Sequence, residues 1–459
     1  MLYYYRKTQN VQHIDEGLPA NLPMVTIQLP LFNELYVIER LIDSACKIKY
    51  PKDKMEIQVL DDSTDETVQI ASNLVEKYKA MGFDITYVHR TNREGYKAGA
   101  LKHALNFAKG EFVAIFDADF IPNEDFLIKT IPHFNNKEIG MVQTRWEHLN
   151  ENYSFLTRTQ ALSLDGHFCI EQEVRNKAGF FMNFNGTAGI WRKATIFDAG
   201  NWQADTLAED LDLSYRAQLK GWKFIYLKDV TSPAELPADI NSLKTQQFRW
   251  TKGGIEAAKK LLPQIFRAKI PIKVKLESFV HLTSNIVFPF IVVVSLLNIP
   301  IVIFKNEFPE LGKYYNVMSV FVIASISTFL FYMTAQKSVN LDWRKRLLLF
   351  PVFLAGSMGL AINNSRAVFE ALLNKKTAFV RTPKYKIESN EDKLNKKKYA
   401  QRKISGSAIL ELSLALYYLI GIGVSAYLVE IAAIPFQLLF FMGFGTIGYM
   451  SLKHSLARK

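Results

Sequence analysis

The chain has 459 residues, 49% of them hydrophobic, with a formal charge of +12 and only two cysteines, Cys46 and Cys169. Two thiols exclude a disulfide framework and a cysteine-based zinc site, and the positive balance suits an anionic partner such as a nucleotide, a phosphate or membrane headgroups. No basic helix or aromatic-rich recognition motif accompanies that charge, so nucleic acid is not an expected partner.

The opening MLYYYRKTQN is too short and too polar for a signal peptide. Aromatic residues followed by Arg6 and Lys7 read as the cytosolic exit of a membrane helix, so residues 1–20 are expected to form a juxtamembrane stretch. From Met24 strands and helices alternate. MVTIQL is a strand ended by Pro30, LYVIERLIDSACKI a helix, EIQVL a second strand and TVQIASNLVEKYKAM a second helix. ITYVH, a helix over KAGALKHALNFA, and FVAIF follow. This alternation predicts a mostly parallel sheet with helices on both faces, within one unit over residues 21–270.

Ligands bind beyond the carboxyl ends of strands in such sheets. Two strands end there in paired carboxylates: VLDDSTD carries Asp61 and Asp62, and AIFDADF carries Asp117 and Asp119. Singly, each pair reads as a turn or a helix cap, with Asp62 or Ser63 capping the next helix. Two pairs on neighbouring strands repel unless a cation lies between them, so both strand ends are expected to line one crevice. Between them, Lys97 in REGYKAGAL sits at a glycine-rich helix start suited to a diphosphate, although the P-loop spacing is absent. An ordinary loop and first helical turn accounts for it equally well.

Further along, FNGTAGIWRK places small residues where a chain or sugar can approach the backbone. Glu209 and Asp210 open the helix LDLSYRAQLK, as simple dipole capping or with Asp210 as a general base. Gln246, Arg249 and Trp250 in QQFRW join an amide, a guanidinium for diphosphate and an indole for a sugar face, or else belong to a surface helix. Trp146 and His148 in QTRWEHLN, and His167 in LDGHF, are read as packed side chains in preference to acceptor contacts.

After residue 270 the chain becomes a membrane unit, 271–459, with four expected crossings at 276–304, 316–335, 408–428 and 431–452. The run 347–373 contains Pro351, Gly356, Asn363 and Arg366, and residues 375–403 hold eleven Lys or Arg against three Asp or Glu. Such loops stay cytoplasmic, so 347–373 is expected to be interfacial or re-entrant. Gly443 to Gly448 fits GxGxxG but lies in an apolar span with no strand before it, which predicts helix packing and not dinucleotide binding.

In order, LDD, KAGAL, DAD, FNGTAG, AED and QQFRW resemble the motifs of processive family 2 glycosyltransferases, the cellulose-synthase-like and mannan-synthase-like enzymes, over nearly the whole chain from Met24. The resemblance implies an α/β fold: a GT-A-type, Rossmann-like cytosolic domain followed by a helical transmembrane domain. It implies that Asp61 and Asp62 contact the nucleoside, that Asp117 and Asp119 hold the nucleotide and its Mg²⁺ or Mn²⁺, and that Lys97 lies near the diphosphate. Asp210 is then the base with Glu209 beside it. Gln246, Arg249 and Trp250 grip the diphosphate and the acceptor sugar. Asn185, Gly186 and Thr187 stand where cellulose synthases carry FxCGS, with several positions changed, and AED lacks the threonine of TED. Phe379-Val380-Arg381-Thr382-Pro383-Lys384 looks like the FxVTxK gating loop, within 374–405, with Phe379, Thr382 and Lys384 closing over the nucleotide. A basic linker touching anionic lipid is the plainer alternative.

The expected function is inverting transfer of a hexose from UDP-glucose or GDP-mannose to a growing β-linked glycan at the bilayer, with the catalytic unit cytoplasmic and the chain multi-pass in an inner or plasma membrane. A single transfer to a lipid acceptor, ceramide or polyprenyl phosphate, is the second reading. A transporter with a nucleotide-sensing domain is the third; it needs intramembrane charges along a path, for which Arg366 and Glu370, both within 347–373, are nearly the only candidates.

Overall fold

A computed structural model describes residues 1–8, 17–314, 322–388, 392 and 406–456. Seven strands form one sheet: β1 (Val25–Leu31), β2 (Met55–Asp61), β3 (Asp84–His89), β4 (Phe112–Ile115), β5 (Ile139–His148), β6 (Gly189–Arg192) and β7 (Lys223–Ala234). Their spatial order is β3-β2-β1-β4-β6-β5-β7. All run the same way except β6, which is antiparallel to both β4 and β5. The expected mostly parallel sheet is therefore present, and β6, four residues drawn from FNGTAGIWRK, is its one reversed strand.

Helices cover both faces because the strands alternate. Along β4, Phe112 and Ala114 enter one core, with Ile38, Leu41 and Val75 from the helices Ile38–Cys46 and Thr67–Ala80. Val113 and Ile115 enter the other, with Leu101 and Leu213 from Tyr96–Leu105 and Glu209–Leu219. Pro30 does not end β1: the strand continues to Leu31, paired with Asp61 of β2. The β4 ladder stops at Gln28, so the N–H that proline lacks has no strand to meet.

A 28-residue helix, Ile240–Arg267, follows the sheet. Among the described residues three helical stretches are long and apolar enough to cross a bilayer: Ile272–Glu307, Gly406–Tyr427 and Ile431–Lys453. The expected second crossing, 316–335, falls on the helix Val322–Val339, which is not among these three; residues 315–321 lie outside the described residues. The run expected to be interfacial is two helices, Phe350–Gly359 and Ala361–Leu372, within a segment bent by 43°. The second lies on the long helix, where Asn363 Nδ2 donates to Lys244 O at 2.9 Å and Lys259 Nζ donates to Ala371 O at 3.0 Å. The first packs on Ile434–Leu456, close enough that a Cβ on Gly443 would lie 2.2 Å from Ala355 O. The GxGxxG run thus serves helix packing. The basic run is described to residue 388 and at 392; the rest, and Ala457 to Lys459, lie outside the described residues.

Leu2–Thr8 is a short helix whose Tyr4 ring meets Phe180 edge-on at 5.1 Å.

Candidate active site

The parallel register Leu31↔Asp61 and Gln28↔Ile115 brings the ends of β1, β2 and β4 to one edge of the sheet. A single cleft opens there. Asp62, Asp117 and Asp119 line it from the strand ends, Lys97 from the Tyr96–Leu105 helix and Glu209 and Asp210 from the start of Glu209–Leu219. Asn185 and Gly186 come from the turn before β6, Gln246, Arg249 and Trp250 from the long helix, and Phe379, Thr382 and Lys384 from the segment after Ala361–Leu372. Of the expected site residues, Asp61 and Thr187 alone stand behind the wall. Asp61 is fully buried and accepts from Tyr87 Oη at 2.7 Å and Ser63 N at 2.8 Å. Thr187 Oγ1 accepts from the Asp117 backbone N–H at 2.8 Å.

Neither Asp62 nor Ser63 caps a helix; Asp65 Oδ1 accepts from Thr67 N at that helix start. Asp62 instead takes a two-pronged contact from Arg90, at 2.8 and 2.6 Å. Gly95, at φ 68°, starts the next helix in a left-handed turn, and two residues on Lys97 Nζ donates to Asp117 at 2.5 Å and Gly186 O at 2.8 Å. Burial alone would lower the Lys97 pKa, but the charges of Asp117, Glu209 and Asp210 hold it above its ordinary value. Gly186 has φ 79°, and a Cβ there would sit 3.0 Å from Asp210 Oδ2, so a side chain at that turn would compete with the carboxyl for the same space. Burial, and after it the charge of Glu209, pushes Asp210 up to about 7. That value lets one carboxyl take and release a proton near neutrality.

The segment Phe379 to Lys384 closes the cleft as a strap. Phe379 stacks on Tyr96 at 5.5 Å and lies 4.8 Å from the Arg249 guanidinium. Lys384 pairs with Asp119. Arg381 pairs with Glu34 at 2.7 Å. Glu34, which sequence reasoning missed, is pushed up to about 7 by burial and pulled back by Arg381 and Lys384. Arg93, also missed as a site residue, lays its guanidinium 3.3 Å from the Phe32 ring centroid on the same wall. The signal for Phe32 and Glu34 was their place directly after β1, the strand that the two acidic strands flank. With the strap down, the cleft holds about 170 Å³, below the few hundred Å³ usual for ligand sites.

A second cavity of about 490 Å³ shares Trp146, Asn185, Asp210, Gln246 and Trp250 with the cleft and continues among the C-terminal helices to Phe288, Tyr332, Phe353 and Asn364. Among the described residues its walls carry aromatic rings, hydroxyls and amides, with neither Lys nor Arg. Trp146 and His167, expected as ordinary packing, both line it. His148 does not, and its Nε2 lies 3.3 Å from Asp165.

Residues 23–253 match the family described as glycosyltransferase like family 2. A probable glucomannan 4-β-mannosyltransferase 11 of Oryza sativa subsp. japonica is 45% identical over 271 residues, which cover 58% of this chain and 47% of that protein. Glucomannan 4-β-mannosyltransferase 2 of Arabidopsis thaliana is 39% identical over 364 residues, covering 75% and 68%. The chain thus spans roughly half to two thirds of these relatives' length. A mannosyltransferase from Pyrobaculum calidifontis, solved in complex with GDP-Man and Mn²⁺, superposes with a TM-score of 0.56 at 20% identity, covering 82% of this chain and 95% of that one. That superposition shows a shared fold.

Proposed function

The chain belongs to glycosyltransferase family 2, and from that premise we propose that it is a membrane-bound, inverting hexosyltransferase that lengthens a neutral β-linked glycan. The observation that carries this reading is the joined pair of cavities: a charged cleft for the donor meets an aromatic, uncharged path at Asp210 and Trp250. Rings and hydroxyl partners suit successive sugars. A path without Lys or Arg gives no match to a polyprenyl phosphate, which disfavours that lipid as acceptor. Mannose is the proposed sugar and GDP-mannose the proposed donor, since the relatives at 39–45% identity are named as mannosyltransferases.

In the proposed reaction Asp210 takes the proton of the acceptor hydroxyl as that oxygen attacks the anomeric carbon. The bond to the diphosphate breaks on the opposite face, and configuration inverts. Lys97 and Arg249 neutralise the departing diphosphate, while Trp250 supports the acceptor ring. A divalent ion fits beside them. Among the described residues Asp119 Oδ1 is buried without a hydrogen-bond partner, and Asp117 is about one-third exposed toward the cleft. Among the described residues no cluster of three or more His, Cys, Asp or Glu is placed to hold a metal, so Asp117 and Asp119 would hold Mg²⁺ or Mn²⁺ jointly with the donor's phosphate oxygens. The ion would supply further charge neutralisation at the leaving group.

The domain division follows as part of the proposal: residues 21–270 catalyse on the cytoplasmic face, and 271–459 anchor and line the exit. The test is incorporation of labelled sugar by membranes given GDP-mannose or UDP-glucose. A long product cut by endo-β-mannanase is expected from GDP-mannose. A single sugar on extractable lipid would establish the other acceptor class, and no turnover of any sugar nucleotide would sink both.

A further inference from the structure

His167 lines the second cavity from a π-helical turn, His167–Gln172, a winding often found where a side chain must be re-aimed for function. The chemistry proposed above leaves it without a task. Its Nδ1 lies 3.0 Å from Glu171 Oε2 and its Nε2 lies 3.0 Å from Asn185 Oδ1. Both partners are acceptors. Glu171 is held far below the usual carboxylate range: burial opposes this, but the Arg175 charge and the His167 bond outweigh it. Asn185 Oδ1 also receives Asn183 Nδ2 at 2.9 Å.

Asn183 Nδ2, together with His167 Nε2 in the tautomer that carries its proton there, donates to Asn185 Oδ1 and fixes the plane of its amide. The other end, Asn185 Nδ2, is buried with no hydrogen-bond partner among the described residues. Asn185 lies on the wall common to both cavities, as Asp210 does. A buried donor of this kind is complete only when an oxygen reaches it. The line of contacts behind it is stiff: Glu171 lies 3.3 Å from Arg175, and Arg175 lies 2.7 Å from Glu277 on the helix that leads into the membrane.

We propose that His167 is a positioning residue: it sets the Asn185 amide so that Nδ2 donates to an oxygen of the acceptor's terminal sugar while Asp210 takes the proton of the attacking hydroxyl. The proposal rests on the acceptor reading above and adds to it the group that orients the acceptor. A phenylalanine would fill the same space without holding the amide.

The test is steady-state kinetics of the full detergent-solubilised chain with labelled donor and a neutral β-linked oligosaccharide. His167→Phe should raise the acceptor KM about tenfold, the value of one hydrogen bond. Donor KM and donor hydrolysis without acceptor should stay within about twofold of the unsubstituted chain. His167→Gln, which retains a donor toward Asn185, should fall between the two. In an Asn185→Ala background, His167→Phe should add nothing. Equal losses in transfer and hydrolysis, or an undiminished effect of His167→Phe in that background, overturn the proposal. An unsubstituted chain that hydrolyses donor but extends no oligosaccharide overturns the acceptor reading as well; normal extension with an unaltered acceptor KM in His167→Phe overturns this inference alone.

Discussion

At the scale of single residues, the proposed chemistry turns on Asp210. Its pKa of about 7 lies well above an ordinary carboxylate because burial, reinforced by Glu209, penalises the charged form. Only the ionised carboxyl can accept a proton, so kcat/KM for the free enzyme should fall as pH drops through about 7 and level off above it. Asp210→Asn should cost about 10²–10⁴-fold in kcat and abolish that limb, with donor affinity nearly retained. Retained activity, or a limb near pH 4, would end the assignment. Asp210 was legible in the sequence as an acid at a helix start, but its protonation was not. Burial and the approach of Glu209 and Lys97 belong to the folded site. Arg93 was illegible for a related reason, and so was the pairing of Glu34 with Arg381: each is an unremarkable charge until the strand ends and the strap bring them to one wall.

The strap is the unit that matters at the scale of elements. Its far end is clamped by Glu235, whose two oxygens accept from Tyr385 N and Lys386 N at 2.9 Å each. Its near end is held by Lys252, which donates to Lys375 O at 2.5 Å, and by Thr377 Oγ1, which donates to Glu370 at 2.9 Å. Between these anchors the Arg381–Glu34 and Lys384–Asp119 pairs keep it down. Glu34→Gln removes one of them and should raise tryptic cleavage after Arg381 about fivefold or more, a loss of roughly 1 kcal/mol in closure. Sugar nucleotide with Mn²⁺ should restore protection; an unchanged rate would show that the pair does not hold the strap. The motif Phe379 to Lys384 was visible in the sequence, whereas its clamps were not, since Glu235 and Lys252 lie more than a hundred residues away. The same limit hid β6: four residues reversed inside a parallel sheet have no local pattern that tells them from a loop.

At the scale of the whole molecule, the proposal places the donor cleft beneath a bundle whose apolar stretches Ile272–Glu307, Gly406–Tyr427 and Ile431–Lys453 have the length to cross a bilayer. The protein should therefore stay in the membrane pellet through an alkaline carbonate wash and require detergent for release; appearance in the wash would contradict the arrangement. A buried pair ties the two halves together: Lys244 of the long helix donates to Glu411 of Gly406–Tyr427 at 2.7 Å, three residues before Gln247. Hydrophobic period and turn chemistry are local properties, and they alone determined the alternating strands and helices, the apolar spans, the acidic strand ends and the order of the motifs. Tertiary structure decided which of those acids share a cleft, that Asp61 and Thr187 stand behind its wall, and that a path lined by neither Lys nor Arg among the described residues meets the cleft at Asp210. Those outcomes depend on strand order, register and helix docking, which are set by contacts between residues far apart in the chain and leave no period in the sequence.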